Sequence, residues 1–316
     1  MNRNYFITLL FLVTSLWGQS LRVGFWNVEN LFDLEDDPTT RDEEFALGGQ
    51  KNVTQDIYDL KLKNCSFVLA DLNADVLGLC EVENYFILDE LNKAYVDRDY
   101  KIVHYDSPDS RGIDNALLYD ASIFNVIETK PIQNNLPSGK STRDILYVKG
   151  EFAGHILHIF VNHWPSNYGG KEQAIPKRRA TAQLLVNEVG KILSKDPEAE
   201  IILLGDFNEG PKDNNVLSLE STNMINLMKP MMGQPKIGTY VYRGEDLLLD
   251  QVIVSSGLKD ESGLKSGEAF ILDKPKYRQQ EGNYAHYPFR FWAGNRLLGG
   301  YSDHLAVYVV ILKTSP

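Results

Sequence analysis

The stretch Ile201-Ile202-Leu203-Leu204-Gly205-Asp206-Phe207-Asn208 passes from four consecutive aliphatic residues into a glycine and two short acceptors at i and i+2. A short aliphatic run closed by a turn signal is how a strand buried on both faces reads. The glycine admits a tight turn at the strand's end, and the turn delivers a carboxylate and an amide. Five other runs end in the same way. Phe25-Trp26 leads into Asn27-Val28-Glu29-Asn30, and Leu77-Gly78-Leu79-Cys80 into Glu81-Val82-Glu83-Asn84. Ile159-Phe160-Val161 leads into Asn162-His163-Trp164-Pro165-Ser166, Leu248-Leu249 into Asp250, and Tyr301-Ser302 into Asp303-His304. Each has an ordinary structural reading when taken alone: Glu81 as a helix cap, Asn27 as a turn residue, His163 as a core histidine. Six together do not. Buried unpaired charge is expensive, so carboxylates gathered at strand ends call for a cation or a reaction.

Outward from these ends the chain alternates strand and helix signals without a linker-like break. Leu21, Val23 and Phe25 alternate with more exposed positions, a strand pattern. Tyr58, Leu62, Cys65, Leu69 and Leu72 fall on one helical face, and Asn52 with Gln55 reads as a capping box opening that helix. A second helix is predicted over 85–95, and a third from Pro176 in its first turn to about Ser194. Further strands are expected at 74–80, 115–119, 145–152, 155–162, 200–205, 248–255 and 303–312. Hairpin-like and crossover connections both occur, which suits two packed sheets covered by helices better than one parallel sheet. The acidic run from Asp33 to Glu44 reads as a solvated loop, with Ca²⁺ binding as the lesser reading. Cys65 and Cys80 read first as buried free thiols, with a bridge between them the lesser reading that export would permit.

Residues 1–20 stand apart. Arg3 precedes an apolar run from Tyr5 to Trp17, and Gly18 and Ser20 supply small-x-small spacing. The run is short for a bilayer span. It predicts a signal peptide cleaved near Ser20, with an uncleaved anchor as the lesser reading, and a secreted or periplasmic protein over 21–316 without stable membrane insertion; a monomer is expected. Removing Arg3 from the 32 Lys+Arg leaves 31 against 43 Asp+Glu, a net charge of −12. So acidic a surface does not attract nucleic acid or anionic membrane by its overall field. A polyanionic substrate would need local cations, and residues 274–300 hold five Lys/Arg against one acid, interleaved with six aromatic residues. Such an island suits phosphates and stacked bases. Lys171, Lys177, Arg178 and Arg179 could form a second patch, or simply a solvated helix start.

The joint pattern resembles the endonuclease/exonuclease/phosphatase family, the deoxyribonuclease I-like fold, from Trp26–Asn30 to Ser302–His304. The segments Asn162–Ser166 and Arg111–Tyr119 bring it nearest to secreted bacterial members. The resemblance implies an α/β, four-layered sandwich of two mixed sheets flanked by helices, and cleavage of phosphate esters assisted by Mg²⁺ or Mn²⁺. It places Glu81 as the principal metal carboxylate, with Asn27 and Asp303 nearby and Glu29 as a further ligand. It assigns Asp206 to the attacking water, and Asn208 to a phosphoryl oxygen or second ion. His304, oriented by Asp250, would serve the phosphate, as would His163, itself oriented by Asp114 or Asn115. Asn162, Arg111 and Trp292 belong to segments expected to line the substrate. Oxygen donors without a cysteine cluster independently favour Mg²⁺, Mn²⁺ or Ca²⁺ over structural zinc. The expected activity is nuclease. The same site would also support a sphingomyelin or phospholipid phosphodiesterase or an inositol-phosphate or nucleotide phosphatase, and a catalytically silent binding module is the non-enzymatic alternative.

Overall fold

The computed structural model describes residues 19–140 and 142–314. All but the last two residues of the expected signal peptide lie outside the described residues.

The strands run β1 (Ser20–Leu31), β2 (Val76–Val82), β3 (Lys101–His104), β4 (Asp114–Tyr119), β5 (Asn125–Ile132), β6 (Ile145–Phe152), β7 (His155–His163), β8 (Glu200–Asp206) and β9 (Met224–Asn226). They continue as the hairpin β10 (Tyr240–Tyr242) and β11 (Glu245–Leu247), then β12 (Asp250–Ser255), β13 (Leu264–Ile271), the small hairpin β14 (Trp292–Ala293) and β15 (Arg296–Leu297), and β16 (Val307–Lys313). Two six-stranded sheets result, in the orders β13-β16-β1-β2-β4-β3 and β5-β6-β7-β8-β12-β9. Each is mixed, with one parallel pair: β1 with β2, and β7 with β8. The helices α1 (Gln55–Leu72) and α2 (Tyr85–Ala94) pack on the first sheet, and α3 (Lys171–Leu193) packs on the second.

Burial explains the layering. Leu21, Val23 and Phe25 meet Ile159, Val161, Ile202 and Leu204 in the core between the sheets. Trp26 and Val28 turn the other way, under Leu62, Cys65 and Leu69 of α1. Ile201, Leu203 and Ile253 face Leu185 and Val189 of α3. Each fully buried aliphatic side chain of this kind contributes roughly 1.5–3 kcal/mol. Strands with a helix on one face and a sheet on the other lose their polar alternation. Hence β1 is buried on both faces beyond Arg22, where the sequence predicts alternation. Cys65 and Cys80 are free and belong to different core layers, on opposite faces of the first sheet.

Several boundaries differ from the sequence reading: the strands expected at 248–255 and 303–312 begin at Asp250 and Val307, so Leu248, Leu249, Asp303 and His304 lie in the loops before them. Thr54, not Asn52, caps α1, its hydroxyl accepting from Ile57 N, while Asn52 takes a left-handed turn at φ 52°. Helix α3 begins at Lys171, so Pro176 lies in its second turn. Strands β3, β5 and β13 and the short β9, β10, β11, β14 and β15 were not expected; β3 and β5 expose much of their length at sheet edges, which blurs the apolar pattern.

Close approach of strands sets the glycines at the site end. Gly205 does not sit in a left-handed turn; it pairs with Asn162 across the parallel β7–β8 ladder. A Cβ there would come within 2.4 Å of the Asn162 carbonyl oxygen. Gly205→Ala should therefore lower stability by about 1–3 kcal/mol in urea unfolding. Gly190→Ala, in α3 where a Cβ meets nothing within 4 Å, should instead raise it by about 0.4–1 kcal/mol. Equal effects of the two substitutions would contradict this reason for Gly205.

Candidate active site

The ends of β1, β2 and β8 share a backbone device. Glu29, Asn30, Glu81 and Asn208 adopt φ of 56°, 54°, 62° and 50°, a conformation that costs a side-chain-bearing residue free energy. The β1–β2 ladder breaks register between Asn27 and Leu31, and the β2–β4 ladder between Cys80 and Val82. Such bulges bend the strand and re-aim a side chain. Here they turn carboxylates and amides away from the core and toward one another. Asn84, not Glu81, caps the following helix, its side chain accepting from Ile87 N at 2.9 Å.

The side chains converge from both sheets. Asn27 Nδ2 donates to Asp206 Oδ2 at 3.2 Å and lies 3.4 Å from Glu81 Oε1. Asp206 and Asp250 stand opposite each other in the β8–β12 ladder. Asp250 Oδ2 lies 2.7 Å from His304 Nδ1, leaving His304 Nε2 3.8 Å from Asp206 Oδ2. His163 Nε2 is 3.8 Å from both Asp206 Oδ2 and Glu81 Oε1. Asn208 N–H donates to Asp206 Oδ1 at 2.9 Å, and its side-chain amide donates to the Trp164 carbonyl. The backbone carbonyl of His304 accepts from Trp26 Nε1, and the Tyr240 ring lies 4.7 Å from the His304 ring, tilted by 33°.

Two buried histidines are driven in opposite directions. Burial, with Arg143, Arg111 and His304 nearby, holds His163 well below the usual imidazole range, so it is neutral. Burial also opposes charge on His304, but Asp250 and Asp206 outweigh it and push the ring well above that range. Burial raises Asp206 to about 6; Asp250 and Glu81 add to the rise, and His304 and the Asn208 N–H oppose it. Titratable groups pushed apart in this way are how a site prepares proton donors and acceptors at neutral pH.

The donor set fits a divalent cation. Glu81, Asp206 and Asp250 crowd together with one imidazolium as their charge partner, and Asp250 Oδ1 is buried without a hydrogen bond. Oxygens of Asp206 and Asp250 lie within 4.8 Å of each other and of a His304 nitrogen. Because Asp250 occupies His304 Nδ1, the oxygens of Glu81 and Asp206 are the better donors for Mg²⁺ or Mn²⁺.

Several expected roles move. Asn27 turns its amide oxygen back onto Glu29 N–H and shows its NH₂ to the carboxylates, to which it is a hydrogen-bond donor. The Glu29 carboxylate is spent on Phe291 N, Trp292 N and Arg290, which makes it an anchor for the 290–292 segment instead of a metal ligand. Asp303 pairs with Arg290 Nη2 at 2.7 Å. Asp114 accepts from Ser107 N and faces His104, and Asn115 donates to the Asp144 carbonyl, so neither is bonded to His163. Asn162 is fully buried and holds the Phe160 and Leu204 carbonyls and the Trp164 indole. Trp292 is buried with Phe291 and offers no open face. Arg178 is fully buried, tying Glu209 at 2.8 Å to the Pro165 carbonyl, and so leaves the supposed second patch. Arg111 is half-exposed, with Nε 3.9 Å from Asp109 Oδ1.

Sequence reading passed over Arg143 and Tyr240. Arg143 is buried, bound to Asp109 and the Trp164 carbonyl. It follows a run of turn residues that carries no strand signal. Beside Tyr240 a cleft of about 920 Å³ opens, sharing Tyr240, Arg290 and Asp303 with the reaction centre. The basic-aromatic segment forms much of its wall through Tyr284, Tyr287, Phe289 and Arg296, and the β10–β11 hairpin adds Tyr242 and Arg243. Arg278 and Lys276 are engaged by Asp273 and Asp71, whereas Arg243 and Arg296 form no ion pair among the described residues.

A family model described as Endonuclease/Exonuclease/phosphatase family matches residues 22–313. A search of curated proteins finds no match. Among solved structures, the human Nocturnin catalytic domain with bound sulfate anion is 17% identical, with 93% of this chain and 95% of that chain covered and a TM-score of 0.61. D. rerio TDP2 complexed with single strand DNA product is 17% identical over 92% and 98%, with a TM-score of 0.58. A family protein from Bacteroides thetaiotaomicron is 18% identical over 93% and 98%, at 0.59. At these identities the likeness shows the shared fold of two mixed sheets flanked by helices.

If Asp250 and His304 act as one oriented pair, their losses are not additive. Asp250→Asn and His304→Ala should each lower kcat strongly, and the double variant should fall little below the worse single one. A double loss equal to the product of the single losses would refute the pairing.

Proposed function

The chain belongs to the endonuclease/exonuclease/phosphatase family of metal-dependent phosphoric ester hydrolases, and we propose that it is an exported phosphodiesterase that acts on nucleic acid. The observation that carries the substrate is the cleft: it is lined by aromatic faces and by Arg243 and Arg296, which form no ion pair among the described residues, and it shares Tyr240, Arg290 and Asp303 with the edge of the reaction centre. Aromatic faces beside cations suit stacked bases and backbone phosphates. The zebrafish TDP2 structure with its single-stranded DNA product and the sulfate in human nocturnin are consistent with this reading. Export as one of the secreted bacterial members rests on the apolar run Tyr5–Trp17 and the small residues before Leu21. No helix among the described residues is long and apolar enough to cross a membrane.

In this reading Asp206, with its raised carboxyl, takes the proton of the attacking water. His304, kept cationic and held by Asp250, contacts a phosphoryl oxygen and supplies a proton toward the leaving group. Neutral His163 presents Nε2 to the same space without adding charge. Asn208 has one amide hydrogen committed to the Trp164 carbonyl and keeps its oxygen free for a cation or water. Glu81 would hold the divalent ion, which when bound would offset charge growing on the phosphoryl oxygens.

A lipid phosphodiesterase would need an apolar element to enter a bilayer. The segment 287–292 is interrupted by Pro288 and Arg290, and its Phe291 and Trp292 are buried. A panel of single- and double-stranded nucleic acid and sphingomyelin vesicles, each with Mg²⁺ or Mn²⁺ and with chelator, tests the reading. Nucleic acid should be cleaved, and chelation should abolish cleavage; release of phosphocholine with nucleic acid untouched would overturn the substrate and leave the chemistry standing. Glu81→Gln or Asp206→Asn should lower kcat on the order of 10²–10³-fold while leaving the unfolding transition in place. Near-normal turnover in both variants would remove them from the machinery.

A further inference from the structure

The two flanks of the reaction centre differ in charge. In the first sheet the order β16-β1-β2-β4 sets Asp303 and His304, then Asn27, then Glu81, then Asp114 along one edge. The aromatic-cationic cleft lies on the β16 side, where it includes Asp303 and Arg290. On the β4 side a second depression, of about 380 Å³, is lined by Asp33, Glu35, Asp36, Asp37, Glu83, Asp106 and Asp114, with no lysine or arginine. Glu35, Asp36 and Asp106 are exposed. The nearest cations of that flank are Arg143 and Arg111, which Asp109 faces at 3.1 and 3.9 Å, and exposed Arg41, whose guanidinium is hydrogen-bonded to Ser110.

A polyanion running through the centre would gain contacts on one side and meet like charge on the other. Carboxylates within a Debye length, about 8–10 Å at ordinary salt, repel each phosphate that passes them. Building on the nuclease reading, we infer that this enzyme works at chain ends: the cleft grips the nucleic acid on one side of the scissile phosphate, and the acidic flank admits only a short segment on the other. Selectivity is then imposed by repulsion, as it is wherever a site rejects the wrong partner by unfavourable charge.

The experiment compares a linear single-stranded DNA with its circularised form, which has the same sequence and no ends, using the full-length protein with Mn²⁺. The linear strand should be shortened progressively, at least about tenfold faster than the circle is opened, a size of effect that local fields produce. Added salt should narrow the difference by screening the flank. The triple variant E35Q/D36N/D106N replaces exposed side chains outside the reaction centre. It should speed opening of the circle several-fold and leave hydrolysis of bis-p-nitrophenyl phosphate unchanged. A circle opened as fast as the linear strand by the unaltered enzyme overturns the inference while the nuclease reading stands. A circle rate unmoved by the triple variant also overturns it, because the acidic flank is then not the cause. If neither DNA is cut while the small ester is, the nuclease reading itself fails, and this inference with it.

Discussion

The contact between Asp250 Oδ2 and His304 Nδ1 joins the two sheets, since Asp250 opens β12 of one and His304 precedes β16 of the other. Asn27 Nδ2 to Asp206 Oδ2 is a second such crossing, between β1 and β8. Neither exists unless the sheets stack at the right separation and stagger. Gly78 shows how tight that stacking is, since a Cβ there would come within 3.1 Å of Val161 across the interface. The hydrophobic core between the sheets therefore does more than stabilise the chain. It sets the distance at which carboxylates and imidazoles from different sheets can share protons and a cation.

Holding that geometry has an energetic cost, and the surroundings show where it is offset. Left-handed residues at Glu29, Asn30, Glu81 and Asn208 each hold unfavourable backbone that the neighbouring packing must over-determine. Buried polar side chains behind the site supply the restraint. Lys61 of α1 donates to the Val28 and Tyr301 carbonyls, and Asn64 to those of Gly299 and Gly300, so one helix fixes the bulged end of β1 and the approach to Asp303. Arg178 of α3 joins Glu209 to Pro165, and Arg143 joins Asp109 to Trp164, fixing the turns after β8 and β7. Helices on the two outer faces thus position loops from opposite sheets, and breaking any one of these buried charges would leave its partner unsatisfied.

Tyr240 links this rigid centre to the substrate surface. Its ring packs beside His304 and also lines the cleft, and burial with Asp303 nearby pushes its hydroxyl up to about 12, so it stays neutral beside the imidazolium. Glu29 makes a similar link on the other wall, since one carboxylate at the end of β1 organises Arg290, Phe291 and Trp292. The substrate wall is built from short hairpins and loops on a scaffold of long strands, the usual division between positioning and recognition.

The chain by itself determined the strands that matter. Apolar runs leading into Asn27, Glu81, His163 and Asp206 announced four strand ends, those leading into Asp250 and His304 are the approaches to β12 and β16, and all six residues lie in the one centre. That much is legible because buried strands and polar ends are local patterns. The sequence could not say which acceptor at a strand end faces the centre. A register break or a left-handed residue rotates the next side chain to the other face, so Glu81 turns in while Glu29 turns toward 290–292. Nor could it separate free cations from engaged ones: Arg178 and Arg278 are bound by Glu209 and Asp273, while Arg243 and Arg296 stay open. Pairing across the fold depends on residues far apart in the chain, and only tertiary packing decides which of two like residues finds its partner.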